Sequence, residues 1–440
     1  MATTILWFRR NLRLCDNHAL IAACESGQPV VPVYIADEVQ TGAASRWWLH
    51  HSLSSLDDSL RKLGSRLIIR EGEPSAVLAE LAADVGATLI CFARRYEPRE
   101  LAAEERVQAL ASNGLSVAVS DDQRLHPDAA VATQAGSPYK VFTPFWRASS
   151  ALGDPAAPAP PPTDIATWQG PLASLELDEL QLLPTKPDWA GGLRETWTPG
   201  EETAHQVLDR AADIASDYGE ARDRPDQDMT TRLSPYLHFG EVSPRQVWHS
   251  VSRSAGSEAL LRQLYWREFS TYLLRHFPAL PEQPLRAEFE HFPWVDDPEG
   301  FKAWTQGRTG FPIVDAGMRQ LWETGWMHNR VRMIAASFLV KDLLIPWQMG
   351  AAWFLDTLVD ADLANNSASW QWVAGCGTDS APFFRIFNPL TQAQKFDPHG
   401  DYAQRWLPEI GSSAESYISP IVDHGQARKH ALAAYQSMRD

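Results

Sequence analysis

Cysteine is scarce in this chain, and its spacing suggests neither a disulfide framework nor a structural metal. The 440 residues include four cysteines, with no C-x-x-C pair and no Cys/His cluster at metal-ligand spacing. No apolar run reaches the length of a membrane span, and the four apolar residues before Arg9 and Arg10 do not resemble a signal peptide. We therefore expect a protein of the reducing cytoplasm that binds no metal and no membrane.

The usual signatures of hydrolases and dinucleotide-binding enzymes are also missing. No Ser/His/Asp or Cys/His set is apparent, and no G-x-G-x-x-G follows the first predicted strand. The formal net charge of -16, from 39 basic and 55 acidic residues, opposes non-specific attraction to nucleic acid. A nucleic-acid partner would need a local basic face, and residues 260–345, with ten basic and ten acidic residues, are at least neutral.

Tryptophan, by contrast, is abundant. The chain has 18 tryptophans, more than core packing requires, because Leu and Phe fill cores without an indole N–H that needs a partner. This excess favours a function that uses the rings themselves.

Two patterns follow one another along the chain. Short apolar, β-rich runs alternate with amphipathic stretches in the first part, which predicts a doubly wound parallel sheet. The runs are 5–8, 30–35, 67–69, 89–92 and 117–119. Residues 151–200 hold nine of the 31 prolines, and from about Gly200 the pattern is helical. We predict an α/β domain at 1–130, a linker at 131–199, an all-α domain at 200–420 and a short tail at 421–440.

A hydroxyl-rich segment precedes one predicted helix. Thr230, Thr231, Arg232, Leu233 and Ser234 would offer donors at a helix N-terminus, an arrangement that suits a pyrophosphate. A purely structural interpretation is also open, in which Ser234 is the N-cap and the proline after it is the first helical residue.

Two further segments place polar groups on helix faces. Asn329, Arg332 and Met333 share one face of a predicted helix, although Arg330 and Arg332 could instead pair with surface acids. Asp362 and Asn366 are i, i+4 neighbours in a run of small residues that lets a flat group approach. This set suits a planar heterocycle better than hydrolysis, but an N-cap followed by structural tryptophans would look the same.

These segments together resemble the photolyase/cryptochrome flavoproteins. The matching motifs are W-F-R-R-N-L-R-L (7–14), T-T-R-L-S-P-Y-L (230–237), Y-W-R-E-F (265–269), G-F-P-I-V-D-A (310–316), W-M-H-N-R-V-R-M (326–333) and D-A-D-L-A-N-N-S-A-S-W-Q-W (360–372). They occur in family order over nearly the whole chain. The resemblance implies an antenna domain, a long linker and a helical domain that holds FAD in a U-shaped form.

The resemblance also implies residue roles. The flavin contacts fall on Tyr218, Thr230, Thr231, Arg232, Leu233, Ser234, Arg267, Asn329, Arg332, Asp360, Ala361 and Asp362, with the amide of Asn366 facing flavin N5. An electron-hopping chain falls on Trp370, Trp347 and Trp294, and the substrate pocket on Gln263, Trp266, Arg330, Met333 and Trp372. Arg330 and Arg385 would contact DNA phosphates.

The implied activity is that of a deoxyribodipyrimidine photo-lyase. Light-excited reduced FAD passes an electron to a cyclobutane pyrimidine dimer flipped out of damaged DNA, the dimer splits, and the electron returns. Such a reaction needs no nucleophile or metal, which agrees with their absence from the motifs. We expect a monomer.

One departure bears on the lesion. Dimer-repairing members commonly carry Glu where this chain has Gln263, and Gln also occurs in members that repair (6-4) photoproducts. Members that repair (6-4) photoproducts carry a His-His pair at the position where this chain has His328-Asn329. Dimer repair therefore remains the first expectation. A blue-light-sensing cryptochrome is the alternative from another class, although few residues follow the family core for a signalling extension.

The antenna pigment is a separate question. Glu100 lies near the position where folate-binding members place a carboxylate for the pterin, and we favour methenyltetrahydrofolate over a deazaflavin or an empty site. A helix start with Pro98 at the first position explains the same residues. Trp47 and Trp48 could likewise flank a pigment or pack the core.

Overall fold

A computed structural model describes residues 2–37, 42–126, 131–133, 135–380, 384–410 and 417–439. Its first part is a five-stranded parallel sheet in the order β3-β2-β1-β4-β5. The strands are β1 (Thr3–Phe8), β2 (Val30–Ala36), β3 (Ile68–Glu71), β4 (Ala87–Ala93) and β5 (Ser116–Ser120). All five predicted apolar runs are therefore strands.

The central strand explains why the sequence pattern is so clear. Every residue of β1 is buried, and Leu6 pairs with Pro32 on one side and with Cys91 on the other. A parallel strand covered by helices on both faces is apolar throughout rather than alternating. Four helices cover this sheet: α1 (His18–Glu25), α2 (Ala43–Lys62), α3 (Pro74–Val85) and α4 (Pro98–Gln108).

The described part of the middle of the chain includes the α-helices α5 (Phe142–Ser150) and α6 (Gly191–Thr196), with a short 3-10 helix, Leu177–Leu180, between them. Phe145 of α5 packs against Phe269 with ring centroids 5.0 Å apart, so this part of the predicted linker is attached to the helical region. The predicted boundary at residue 130 falls within 127–130, outside the described residues.

The second half is helical, which confirms the predicted fold class. Its helices are α7 (Glu201–Asp213), α8 (Tyr218–Ala221), α9 (Ser234–Phe239), α10 (Pro244–Val251), α11 (Glu258–His276), α12 (Pro298–Thr305), α13 (Pro312–Thr324), α14 (Asn329–Ser337), α15 (Trp347–Thr357), α16 (Leu363–Ala374), α17 (Pro389–Phe396), α18 (Asp401–Trp406) and α19 (His424–Ser437). A π-helix, Phe338–Asp342, follows α14, and α19 occupies the predicted tail.

The loop after β1 joins the two halves. Arg13 donates to the Gly240 carbonyl at 2.8 Å, and Leu12 N donates to the Phe239 carbonyl. Gly240 has φ +68°, and a Cβ there would lie 2.0 Å from the Arg10 carbonyl oxygen, so only glycine allows this approach. The sheet is thereby fixed against the helices that carry the candidate site.

Within the described ranges, the helices are all too short or too polar to span a lipid bilayer. The four cysteines are free thiols, as their spacing predicts.

Candidate functional site

The site is organised around the start of α16. Asp362 is its N-cap and accepts from the backbone N–H of Asn365 at 2.8 Å, which fixes the carboxylate and the helix start together. One turn later, Asn366 donates its side-chain amide to the Ala351 carbonyl at 3.0 Å. The predicted i, i+4 relation of Asp362 and Asn366 is therefore realised on one helix.

A second acid on the same loop pairs with α14. Arg332 binds Asp360 at 2.9 Å and also donates to the Met327 carbonyl at 2.7 Å. The Asp360 side chain is only 4% exposed, and its other oxygen, Oδ1, is buried without a hydrogen-bond partner. A buried carboxylate oxygen with no donor marks a place where a ligand donor fits. Ala361, between the two acids, is partly buried.

His238 and Arg10 lie behind Asp362. His238 Nδ1 is 3.9 Å from Asp362 Oδ2, and Arg10 Nη1 is 2.9 Å from the same ring nitrogen. Burial, followed by the charge of Arg10, lowers the pKa of His238 to about 4, so the ring is neutral at pH 7. Burial opposes ionisation of Asp362, but His238 and Arg267 outweigh it and hold the pKa of this carboxyl below its ordinary value. The site therefore keeps an anionic Asp362.

The hydroxyl-rich segment contacts Trp326, whose ring also lies near Arg332. Arg232 has φ +52°, a left-handed backbone that turns the chain into α9, and its guanidinium lies 5.4 Å from the Trp326 ring centroid. Arg232 binds Asp228 at 3.3 Å, while its Nε is buried without a partner. Thr231 Oγ1 accepts from Leu233 N at 3.4 Å, and Thr230 is partly buried beside it.

The structural interpretation of Ser234 as an N-cap is wrong. Helix α9 begins at Ser234 itself, its N-cap is Leu233, and no side chain caps it. The turn at Arg232 already brings Leu233 into helical geometry, so Ser234 is the first helical residue, its side chain is exposed and Pro235 comes second. The Ser234 hydroxyl is therefore not used as a cap.

Two other predicted flavin residues lie at the edges of this region. Tyr218 is buried at the start of α8, with the Arg222 guanidinium 5.4 Å from its ring. Arg267, partly buried on α11, donates to the Gln123 carbonyl at 2.7 Å and so connects α11 to the α/β domain. Helix α7 ends at Asp213, and Tyr218 begins the separate helix α8.

The predicted substrate residues on α11 border an exposed aromatic surface. Trp266 is 36% exposed and stacks on Phe142, with ring centroids 3.6 Å apart and an interplanar angle of 5°. Gln263, one turn earlier, donates to the Ala259 carbonyl at 3.0 Å, which leaves its amide oxygen free to accept. Sequence reasoning missed Phe142, because it lies on α5 in the predicted linker.

Helix α14 presents the face that its sequence predicts. Asn329 is exposed and its amide lies 3.9 Å from the sulfur of Met333, one turn along. Arg330 points elsewhere and binds Asp223 at 2.7 Å. The alternative that Arg330 pairs with an acid is therefore realised. Trp372, on α16, lies under Arg385, whose guanidinium is 5.2 Å from the ring centroid.

The three predicted electron-transfer tryptophans range from core to surface. Trp370 and Trp347 are 2% and 1% exposed, whereas Trp294 is partly buried. The Trp370 ring lies directly over Gly350, one turn after Trp347 on α15, where a Cβ would approach to 2.1 Å. A fully buried ring, Trp304, also lies 6.2 Å from Trp370. Sequence reasoning did not single out Trp304, since no motif contains it.

The predicted antenna residues lie at the ends of β1 and β4. Glu100 binds Arg9 at 2.7 Å and Arg95 at 3.2 Å, and Arg9 also lies 3.7 Å from Glu104. Burial opposes ionisation of Glu100, but Arg95 and Arg9 outweigh it and lower the pKa of its carboxyl. Pro98 is the first residue of α4, as the helix-start interpretation predicts.

Trp47 and Trp48 are almost fully buried, at 1% and 0% exposure. They belong to a hydrophobic core that is shared by the α/β domain and the helical region, and Trp48 donates to Glu241 at 3.1 Å. The packing interpretation of these two rings is therefore realised.

The structure also brings together three potential metal ligands that sequence spacing did not reveal. Cys15, Glu201 and His205 lie within 4.8 Å of one another. Each already has a partner: Glu201 accepts from the Leu14 and Cys15 amides, and the Gln246 amide donates to His205. These bonds explain the arrangement without an ion.

The residues around Asp360 and Arg232 fit a large, anionic and planar ligand. The cradle, which we define as Arg232, Arg332, Asp360, Asp362 and Asn366, offers two guanidinium groups, two carboxylates and one amide. Two of its buried polar atoms, Arg232 Nε and Asp360 Oδ1, have no partner within the described chain. Phosphates suit the former and a ring N–H suits the latter.

Comparison with known proteins agrees with this geometry. Residues 260–418 match the family profile described as the FAD binding domain of DNA photolyase, and residues 4–163 match that described as DNA photolyase. A deoxyribodipyrimidine photo-lyase of Agrobacterium fabrum is 47% identical, with 100% of this chain and 98% of that protein aligned. Cryptochrome-1 of Arabidopsis thaliana is 38% identical over 94% of this chain and 64% of its own length.

Solved structures give the same result. A class III photolyase from Agrobacterium tumefaciens superimposes with a TM-score of 0.96 at 46% identity, covering 100% of this chain and 98% of that one. An archaeal photolyase from Sulfolobus tokodaii, described with two FAD molecules, gives a TM-score of 0.87 at 30% identity over 99% and 100% of the two chains. The fold and site define a flavin-binding helical domain attached to an α/β domain. The chain belongs to the family of DNA photolyases and cryptochromes.

Proposed function

We propose that this protein repairs cyclobutane pyrimidine dimers in DNA with light, as a deoxyribodipyrimidine photo-lyase. The observation that carries the proposal is a cradle with two unpartnered buried polar atoms, Arg232 Nε and Asp360 Oδ1, on the helical domain that also buries Trp370. Bound FAD supplies the light-driven electron donor.

The chain's own residues would bind and orient the FAD. Arg232 and the hydroxyls of Thr230 and Thr231 hold the phosphates, with Leu233 and Ser234 completing that turn. Asp360 and Asp362, fixed by Arg332 and by the start of α16, accept from the ring system, while Tyr218, Arg267, Asn329 and Ala361 border it. Asn366 provides an amide that cannot act as an acid. Trp370, Trp347 and Trp294 carry electrons between the cradle and the surface.

The lesion binds where aromatic and soft apolar surface is exposed. Trp266, backed by Phe142, offers a flat face for a flipped base, with Met333 and Trp372 as further apolar contacts. Gln263 has an amide that donates to or accepts from a pyrimidine edge. Arg330 and Arg385 contact the flanking phosphates.

The test is illumination of purified, chemically reduced protein with a dimer-containing oligonucleotide. Recovery of thymine absorbance under blue light supports dimer repair. No recovery from the reduced protein, in a preparation whose oxidised flavin is photoreduced by blue light, would favour a blue-light sensor. Recovery only with a (6-4) substrate would favour that lesion. The single His328, followed by Asn329 rather than a second His, argues against the last outcome because (6-4) repair needs more acid/base chemistry.

Gln263 allows a sharper test of the pocket. If a transferable proton at this position limits dimer splitting, Gln263→Glu raises the quantum yield of repair. An unchanged yield with normal DNA binding would show that the amide suffices.

Methenyltetrahydrofolate remains our proposed antenna pigment. Because Glu100 is engaged by Arg9 and Arg95, we do not assign its carboxylate to the pterin. Folate measured in an acid extract of the purified protein tests the proposal, and an extract with a deazaflavin or with no second pigment contradicts it.

A further inference from the structure

Asp223 forms an ion pair with Arg330, the arginine that the proposed function places against a DNA phosphate. Asp223 Oδ2 accepts from Arg330 Nη2 at 2.7 Å, and Asp223 Oδ1 lies 3.9 Å from Arg222 Nε. The side chains of Asp223, Arg330 and Arg222 are 36%, 18% and 24% exposed, so the cluster lies at the surface of the helical domain. A single carboxylate thus lies between two arginines from separate segments.

Arg330 is held in a defined orientation. The centroid of the Phe396 ring lies 4.4 Å from the guanidinium carbon of Arg330, and Arg330 Nε is buried with no hydrogen-bond partner among the residues that the structure describes. The group therefore presents one edge to Asp223 and keeps a donor that the protein does not use. Carboxylate and phosphate are recognised by the same planar fork of N–H donors, so either anion can satisfy this edge.

Other arginines near Asp223 in the sequence are also paired with acids. Arg224 pairs with Asp226 at 2.5 Å, and Arg210 and Arg232 share Asp228 at 2.7 and 3.3 Å. Each of these arginines is thus neutralised locally. In a chain of net charge -16, such pairing removes the local positive field that would otherwise attract any DNA.

We propose that Asp223 is an internal competitor for DNA phosphate that keeps Arg330 oriented but lowers the affinity for undamaged DNA. This inference rests on the proposed function. A DNA backbone phosphate must displace the Asp223 carboxylate from Arg330. Binding of undamaged DNA at this arginine therefore gains little free energy. A lesion that also fills the pocket beside Trp266 supplies the additional contacts that make the exchange favourable. Asp223 therefore determines specificity through Arg330 without touching the lesion.

The test compares DNA binding by FAD-loaded wild-type protein and Asp223→Asn over a series of salt concentrations. Asn is isosteric but uncharged, so it competes weakly for Arg330. We expect affinity for undamaged duplex to rise about tenfold, corresponding to about 1.4 kcal/mol. We expect the plot of log affinity against log salt to steepen by about one unit, because one more phosphate contact forms. The preference for dimer-containing duplex should fall.

Three further variants separate this mechanism from general effects. Asp188→Asn removes the same charge from a similar exposed pair, with Arg194 at 2.8 Å in the linker, and should leave affinity and slope unchanged. Asp223→Glu keeps the carboxylate and should retain wild-type discrimination. In the Arg330→Gln background, Asp223→Asn should give no gain, because the two residues act through one contact.

The outcomes are distinct. If Asp223→Asn binds undamaged DNA no better than wild type, or as much better as Asp188→Asn does, the competitor role is wrong. Equal gains with and without Arg330 would also exclude it. If wild-type protein binds neither undamaged nor dimer-containing DNA, the proposed function itself fails.

Discussion

The α/β domain and the helical domain each hold a cluster of buried charge, and the two clusters differ in how their ions are connected. At the ends of β1 and β4, Arg9 and Arg95 share Glu97, Glu100 and Glu104, so that each arginine has two ion-pair partners. In the cradle, Arg332 and Asp360 form a single ion pair. Each cluster keeps two buried polar atoms without a hydrogen-bond partner among the described residues: Arg9 Nε and Glu104 Oε2 in the first, and Arg232 Nε and Asp360 Oδ1 in the second.

The difference indicates what each cluster is for. Ligands of open α/β sheets usually bind at the strand ends where the chain order reverses, between β1 and β4 in this sheet. Here that place is occupied by ion pairs, which stabilise the fold only if every group is paired. Buried polar atoms without partners are costly and occur in both clusters. A ligand is favoured in the cradle because its ions are less connected to one another and because the FAD-binding profile covers Arg332, Asp360 and the start of α16. Damage to the first cluster should therefore reduce stability, and damage to the second should reduce binding.

The largest effect is expected in the α/β cluster. Arg9→Met leaves Glu100 and Glu104 with less compensation at a site where the arginine side chain is 2% exposed. We expect the free energy of unfolding to fall by about 3–5 kcal/mol, measured by denaturant titration. The control Arg106→Met breaks the half-exposed pair with Glu73 and should cost at most about 1 kcal/mol. Equal losses of unfolding free energy in Arg9→Met and Arg106→Met would refute a stabilising role of the α/β cluster.

A smaller and different effect is expected in the cradle. Arg232→Gln removes a charged donor from the proposed phosphate wall and should weaken FAD binding by about 1.5–3 kcal/mol, the usual value of a hydrogen bond to a charged group. Fluorescence titration of the apoprotein measures this loss. Arg210→Gln, which loses a pair with the same Asp228, should bind FAD like wild type. Equal affinity for FAD in wild type, Arg232→Gln and Arg210→Gln would show that the cradle is not the flavin site.

The interface between the halves gives a pH dependence rather than a fixed loss. Glu241 accepts from Trp48 and from Gly200 N at 2.7 Å, and burial raises its pKa to about 8. Between its ordinary value, about 4.3, and 8, the folded protein binds more protons at this group than the unfolded chain does. Stability should therefore fall as pH rises through this window, by at most about 1.4 kcal/mol per unit. Glu241→Gln should flatten the plot of unfolding free energy against pH. If the plot for Glu241→Gln runs parallel to that of wild type, Glu241 is not the cause of the pH dependence.

The fold was largely predictable from local pattern. The five strands are apolar runs because a sheet covered on both faces leaves no polar positions, as in β1, and the i, i+4 placement of Asp362 and Asn366 follows from the helix period. The site was predictable only through resemblance to a family, since single helices do not reveal which groups they face.

What could not be predicted depends on long-range contacts. Asp223 is 107 residues from Arg330, and Phe142 lies on α5 within the linker, far along the chain from Trp266. Nothing in either segment alone specifies these partners. The start of α9 at Ser234 was missed for a local reason, because the left-handed turn at Arg232 is uncommon outside glycine and leaves no signature in residue type.

The central claim is that the cradle binds one flavin while the ion-pair network of the α/β cluster stabilises the fold. Titration of FAD into apoprotein, followed by absorbance and by heat of binding, tests it most directly when wild type, Arg232→Gln and Arg9→Met are compared. The account predicts one equivalent of FAD per wild-type chain, weaker binding in Arg232→Gln, and unchanged affinity in the folded fraction of Arg9→Met. A colourless wild-type protein that takes up no FAD would contradict it.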